Sequence, residues 1–546
     1  MAPSRSQGHA FGLRDLVVSL FPVLIGLIAS VLFWGLIVPL GLLILIPFRT
    51  FVLQSALNFR YGKGRFTLAD GIDALFGNDE TSGSSSAPHM LLVCKGTTPN
   101  ISVLQNRFLQ HVFTYGDDTS GQAIFGERLK SRFVARKWGW PVWERMDEDA
   151  FDIRRHVKLL SNSGSMLSED DVLDRMSELI QEKEVHATAP QWEFLLVPYY
   201  TPKNVPAQSQ DSYFACIIRL HHAYGDGASV LLLLDKALAD CPIAWKIDPM
   251  QPLVRSPPLI WTLSAHAFGI LPFLRTLFST MWDNSPFIVE EKRGYSDRKF
   301  VAWSEPIRLS FFKELKNNSG TAFSSIVLTA FCSALRKLYH QKMDSSQLPD
   351  VAKVALVSAM IPYKTCRLQN TFCTYSVPCA ISQPDVSLRL QETHASLKKI
   401  TSSGEPIFAY FAMRASGLLP RVVMDPIISA ARTAILYSNI PGPTRPVVLF
   451  GSEVIQMGGW LSMIKSYGFG IISKSTCDHV RLCLTTDSSL ISSRSELSRF
   501  LEDVEDELEM LGRIYHVPLV RNDKDDITST IRRRRSDYDM DLKRTG

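Results

Sequence analysis

"RLHHAYGDGAS" spans residues 219–229 and joins two apolar runs, "YFACIIRL" (213–220) and "SVLLLLDKALAD" (229–240). The first run reads as a buried strand and the second as a buried helix. The chain has only 12 histidines in 546 residues, yet His221 and His222 are adjacent here. If strand geometry continues, their side chains point to opposite faces. Such a pair cannot share one metal. No carboxylate or cysteine lies at a familiar ligand spacing, so no metal site is expected. Asp226 stands where the helix begins, a position that favours short oxygen-bearing side chains. Gly227 permits tight packing or an unusual backbone angle. Two readings of these residues stay open. One is a core pair of histidines beside a capping aspartate. The other is a catalytic site, because a neutral imidazole can accept a proton near neutral pH. Asp226 would then fix the loop and the imidazole orientation.

Outward from this stretch, the pattern mixes strands and helices. "EFLLVPYY" (193–200) and "DSYFACIIRL" (211–220) flank a polar loop and predict a hairpin. Residues 168–183 predict a helix capped by Ser168, with Val172, Met176 and Leu179 on its apolar face. In the second half, residues 324–341 predict a helix, and 351–362 and 373–382 predict strands. Residues 493–511 form an amphipathic helix with Leu497, Phe500, Leu501, Val504 and Leu508 on one side. Strands mixed with helices in both halves give an α/β or α+β fold class. A chain of 546 residues exceeds one ordinary core. The expected organisation is an N-terminal membrane segment (1–65), a domain (66–250), a linker with an apolar stretch (251–296), a second domain (297–515) and a charged tail (516–546).

Net charge is +5, and no basic-aromatic stripe accompanies it, so nucleic acid is not an expected partner. The nine cysteines form no CxxC pair. That pattern argues against a zinc ribbon and favours free thiols in a reducing compartment. Leu16 to Phe48 contains no charged residue and is long enough to enter a bilayer. One tilted span and a bent re-entrant hairpin both suit it, since Pro22 and Pro39 interrupt the run. Arg49, Arg60, Lys63 and Arg65 follow it, which puts the downstream side in the cytosol. A second apolar stretch, residues 257–282, suits either a membrane-surface segment or a cover over a core. Arg532 to Arg535 in the tail could meet anionic lipid, although such runs are more often simply solvated.

Several of these segments together resemble one family. "HHAYGDG" (221–227) matches the HHxxxDG signature of the wax ester synthase/diacylglycerol acyltransferase (WS/DGAT) family. "LADGIDALF" (68–76), "FDIRRHVKLL" (151–160), "PQWE" (190–193), "TAFSSIVLTAFCSAL" (321–335), "SNIPGP" (438–443) and "VRLCLTTDSSL" (480–490) also resemble its segments. The likeness runs from about 66 to 512. It implies two domains of the chloramphenicol-acetyltransferase-like, CoA-dependent acyltransferase fold. It also implies acyl transfer from acyl-CoA to a fatty alcohol or diacylglycerol, with His222 as general base and Asp226 four residues on. His221 and Gly227 would support the motif, and Ser438 or Asn439 would serve as oxyanion or substrate-positioning groups. Acyl-CoA would be a substrate, with no further cofactor. The implied location is a membrane, first the endoplasmic reticulum with the domains facing the cytosol, with lipid droplet or plasma membrane as alternatives. One departure stands out: the family's Asn-Asp pair falls on Ser324 and Ser325.

Overall fold

The computed structural model describes residues 28, 30–77, 86–116, 124–160, 165–182, 185–203, 211–251, 265, 269–281, 283, 285, 287, 298–342, 348–430, 432–462 and 467–519. The start of the apolar run (16–27 and 29), most of the polar loop after Thr201, most of the 251–296 linker and the tail beyond residue 519 lie outside this set. Its longer helices are α1 (Ser30–Tyr61), α2 (Glu169–Gln181), α3 (Gly227–Leu233), α4 (Ile270–Met281), α5 (Phe323–Lys342), α6 (Val386–Thr401), α7 (Glu405–Ser416), α8 (Arg421–Ala430) and α9 (Arg494–Ile514).

Two mixed sheets carry the architecture. The N-terminal sheet runs, in spatial order, 447–449, 452–460, 89–95, 213–220, 192–197 and 157–159. The C-terminal sheet runs 299–303, 479–487, 469–476, 435–440, 351–359 and 372–380. The expected hairpin forms, with Trp192–Val197 antiparallel to Leu220–Ala215. The two sheets are not two consecutive stretches of chain. Residues 447–460 come from the second half but pair with 89–95 in the first sheet. Alternation along a strand says which residues share a face, not which sheet the strand joins.

Side-chain alternation explains the layering. Leu91, Val93, Ala215 and Ile217 point toward the second sheet, where they meet Ala355, Leu436, Ile472 and Cys483. Their neighbours Leu92, Cys94, Phe214 and Cys216 point the other way, into a core shared with α3. On the far side, Ile435, Tyr437, Ile471 and Leu482 pack against α5 and α9. Strands buried on both faces read as continuous apolar runs, as "YFACIIRL" does. Polar residues inside these layers are paired. Arg219 contacts Glu193 at 2.6 Å, Glu182 at 2.7 Å and the Leu179 carbonyl at 3.0 Å, tying the strand before the histidines to its neighbours.

Helix ends follow local chemistry. Ser168 caps α2 in a reciprocal capping box with Asp171. Ser493 caps α9 through the Glu496 amide. Asp226 caps α3, accepting the Ser229 N–H at 2.9 Å. α1 runs unbroken through Pro39 and Pro47, so residues 30–61 contain no hairpin turn.

Candidate active site

A cavity of about 990 Å³ lies between the two sheets, mostly apolar in its lining. Ligand sites commonly measure roughly 300–1,000 Å³, so this one can take long apolar chains. His222, Asp226, Gly227, Ser324, Ser438 and Asn439 all line it. His221 does not.

The two histidines diverge, although the strand ends at Leu220 and His222 lies in the turn that follows it. The His221 ring stacks on Phe133 with centroids 5.4 Å apart, and its Nδ1 accepts the Ala223 amide at 3.2 Å. The His222 ring lies flat on Phe76 at 4.1 Å, with an interplanar angle of 7°. Phe372 stands beside it at 5.6 Å. Burial in these apolar walls lowers the His222 pKa to about 4, so the imidazole is neutral at pH 7.

The hydrogen bonds of Asn370 settle its tautomer. The Asn370 amide nitrogen donates to Asp73 Oδ1 at 2.9 Å and to the His222 carbonyl at 2.7 Å. Both partners only accept, so the other amide atom, Oδ1, faces His222 Nδ1 at 3.0 Å. Nδ1 therefore carries the proton. Nε2 is left as the lone-pair nitrogen, and among the described residues it makes no hydrogen bond. Asp73 is held in turn by Arg128 at 3.1 Å, and burial raises its pKa.

Asp226 does not touch either imidazole. It accepts the Tyr363 hydroxyl at 2.6 Å and the Thr371 amide at 2.8 Å, besides capping α3. Its share in the site is to bind the 363–371 segment to the 221–227 loop. The expectation that it also orients the imidazole is corrected: Asn370 does that. Gly227 adopts no left-handed backbone. A Cβ there would stand 3.1 Å from the Ile440 methyl, so a larger residue would have to displace that side chain. In "SNIPGP", a Cβ on Gly442 would stand 1.8 Å from the Ser475 carbonyl oxygen, which makes this glycine obligatory.

Ser438 is buried on the 435–440 strand, and the Asn439 side chain accepts the Ser473 hydroxyl at 3.1 Å. Both reach the same cavity as His222. The "PQWE" residues are packing groups. Gln191 bonds both backbone atoms of Phe133, at 3.0 and 2.8 Å, and Trp192 stacks on His156. Ser325 is buried and bonds His394 Nδ1 at 3.2 Å, while Ser324 lines the cavity beneath Tyr437. Among the described residues, no cluster of three or more histidine, cysteine, aspartate or glutamate side chains is arranged to hold a metal.

The fold and site define a two-sheet acyltransferase architecture with the HHxxxDG histidine at a cavity between the sheets. Over the part of the chain holding Asn370 and "SNIPGP", the likeness is specific: residues 368–512 match the family model of the WS/DGAT C-terminal domain. Among solved structures, the wax ester synthase/diacylglycerol acyltransferase from Marinobacter aquaeolei VT8 is similar at 17% identity and a TM-score of 0.52. That match covers 83% of this chain and 100% of the other. The trichothecene 15-O-acetyltransferase from Fusarium sporotrichioides matches at 10% identity and a TM-score of 0.53, covering 82% and 95% of the two chains. The first condensation domain of the CDA synthetase matches at 12% identity and a TM-score of 0.50, covering 84% and 99%. At these identities the likeness shows the fold. No curated protein sequence matches the chain. The family model and the shared fold together support an acyltransferase.

Proposed function

We propose that the protein transfers a long-chain acyl group from acyl-CoA to the hydroxyl of a fatty alcohol or diacylglycerol. The observation that carries this reading is the state of His222. Its ring is neutral, its Nδ1–H is taken by Asn370, and Nε2 remains free at a large apolar cavity.

The steps follow from that geometry. Nε2 accepts the proton of the acceptor hydroxyl. The oxygen attacks the thioester carbonyl, forming the new C–O bond. The tetrahedral intermediate collapses with loss of the C–S bond, and Nε2 returns the proton to the CoA thiolate. General base catalysis of this kind contributes about 10² to 10⁴ in rate. The developing oxyanion needs a donor, and Ser438 is the candidate on the cavity wall. Acyl-CoA acts as a substrate, and no other cofactor enters the scheme.

Both acceptors partition into lipid, and α1 is long and apolar enough to reach a membrane. The reading places the enzyme at a membrane, with the cytosolic face of the endoplasmic reticulum as the specific location. The test incubates membranes holding the full chain with labelled palmitoyl-CoA and either hexadecanol or diolein. Labelled wax ester or triacylglycerol is the expected product. Label found only as unreacted palmitoyl-CoA or free palmitate with both acceptors would defeat the proposal.

A further inference from the structure

α1 does not project from the body. Near its start, Phe33 and Trp34 pack on Phe408 and Phe411 of α7, with centroids 5.2 and 5.3 Å apart. In the middle, the Arg49 guanidinium is buried and donates to the Gly417 and Ala69 carbonyls at 2.8 and 2.9 Å. Near its end, Leu57 packs with Phe66 and Val142, and Tyr61 lies 5.7 Å from Trp138. These contacts run from residue 33 to residue 61, roughly 42 Å at 1.5 Å per residue. A hydrocarbon core is only about 30 Å thick. An α1 standing upright would draw α7 and the 131–145 hairpin through the bilayer. That hairpin carries Arg132, Arg136, Lys137 and Glu144, which the core does not tolerate.

The outward face tells the same story. Leu43 is 75% exposed, Phe51 70% and Phe59 95%. The only charges between Ser30 and Tyr61 are Arg49, folded inward, and Arg60 at the end. The apolar face therefore continues well past Arg49. α8 adjoins the same hairpin, since the Arg421 amide donates to the Gly139 carbonyl at 2.9 Å. Its Val422 is 76% exposed, and its charges are paired, Asp425 with Arg136 at 2.6 Å and with Arg421 at 2.5 Å. Ile427 of α8 is both exposed and part of the cavity lining, so the cavity reaches this apolar side. Phe273 of α4 and Met413 of α7 line it nearby.

We propose that α1 and α8 form a membrane face lying flat in one leaflet of a lipid bilayer, and that the cavity takes its apolar acceptor sideways from that leaflet past Ile427. The membrane face stands on the geometry alone; the sideways loading rests on the acyltransferase reading. The test uses the full chain in phosphatidylcholine vesicles, with Cys241, Cys366 and Cys477 replaced by serine. Single spin labels are placed at Leu36, Leu43, Phe51 and Phe59, and their depths are read by collision with oxygen and a nickel chelate. All four labels at one shallow depth, about 5–10 Å, is the expected result. Depths that grade along the helix, pass through the bilayer centre or show water contact throughout would overturn the membrane face. For loading, the Val422→Glu/Val423→Glu variant is assayed with hexadecanol in vesicles and with hexanol in water. At least a tenfold loss with hexadecanol and none with hexanol is expected. Equal rates, or equal losses, with both alcohols would overturn sideways loading. If the wild-type chain esterifies neither alcohol nor diolein, the acyltransferase reading and the loading fail together, while the depths still decide the membrane face.

Discussion

Two loops meet over the candidate base, and they differ in kind. The 221–227 loop supplies His222 and Asp226 between a strand and a helix that sequence patterns define well. The 363–371 segment, joining two strands of the other sheet, supplies what orients them. Its Asn370 holds the His222 ring, and its Tyr363 and Thr371 hold Asp226. Asp226 returns the contact through its own amide, which donates to the Gln369 carbonyl at 3.1 Å. The candidate base is thus carried by one sheet and held by the other. The proposed chemistry at His222 would depend on the two sheets being docked, as does the cavity they enclose.

That contrast can be broken at each member. His222→Ala removes the candidate base and should lower ester formation per folded molecule by about 10² to 10⁴. A variant that retains wild-type turnover would remove His222 from the mechanism. Asn370→Ala frees the ring to rotate and to exchange tautomers. A lost hydrogen bond of about 1.4 kcal/mol corresponds to roughly tenfold in kcat, with KM for acyl-CoA little changed. A rise in KM at constant kcat would instead make Asn370 a binding residue.

Asp226→Ala strands the Tyr363 hydroxyl and the Thr371 and Ser229 amides. Loss of the cap costs about 1 kcal/mol, and each buried donor left unpaired adds about 1–3 kcal/mol. Denaturant unfolding should show a destabilisation larger than the fall in kcat per folded molecule accounts for. A fully stable but inactive Asp226→Ala protein would return the aspartate to the chemistry.

An effect on stability is also expected with pH. Burial lowers His156, His186 and His222 to about 4. An unfolded histidine titrates near 6.5, so between these values the unfolded chain binds more protons. Stability is then full above pH 6.5 and declines as the pH falls toward 4. The melting temperature should drop between pH 7 and pH 5.

Much of the first loop was legible in the sequence. The divergence of His221 and His222 was anticipated, and helix-capping chemistry placed Asp226 at the start of the helix. The second loop was not. "RLQNTF" has no periodicity and no turn signature, and Asn370 acts on a residue 148 positions away. Only the packing of the two sheets brings them together. Asp73 and Phe76 lay in the quoted segment "LADGIDALF", yet nothing local tied them to the histidine. The same reasoning applies to strands 447–460, whose place in the first sheet comes from pairing with residues 89–95 far along the chain. α1 is the mirror case: its apolar composition was plain, and its position against the body came from contacts with α7 far along the chain.

The account turns on a neutral His222 aimed by Asn370, and the pH dependence of kcat/KM for ester formation tests it most directly. That profile reports the free enzyme's base. The prediction is constant activity per folded molecule from pH 7 down to about 5, with the acid limb centred near 4. A limb centred near the ordinary histidine value of about 6.5 would contradict it, because the imidazole would then be solvated rather than buried against Phe76.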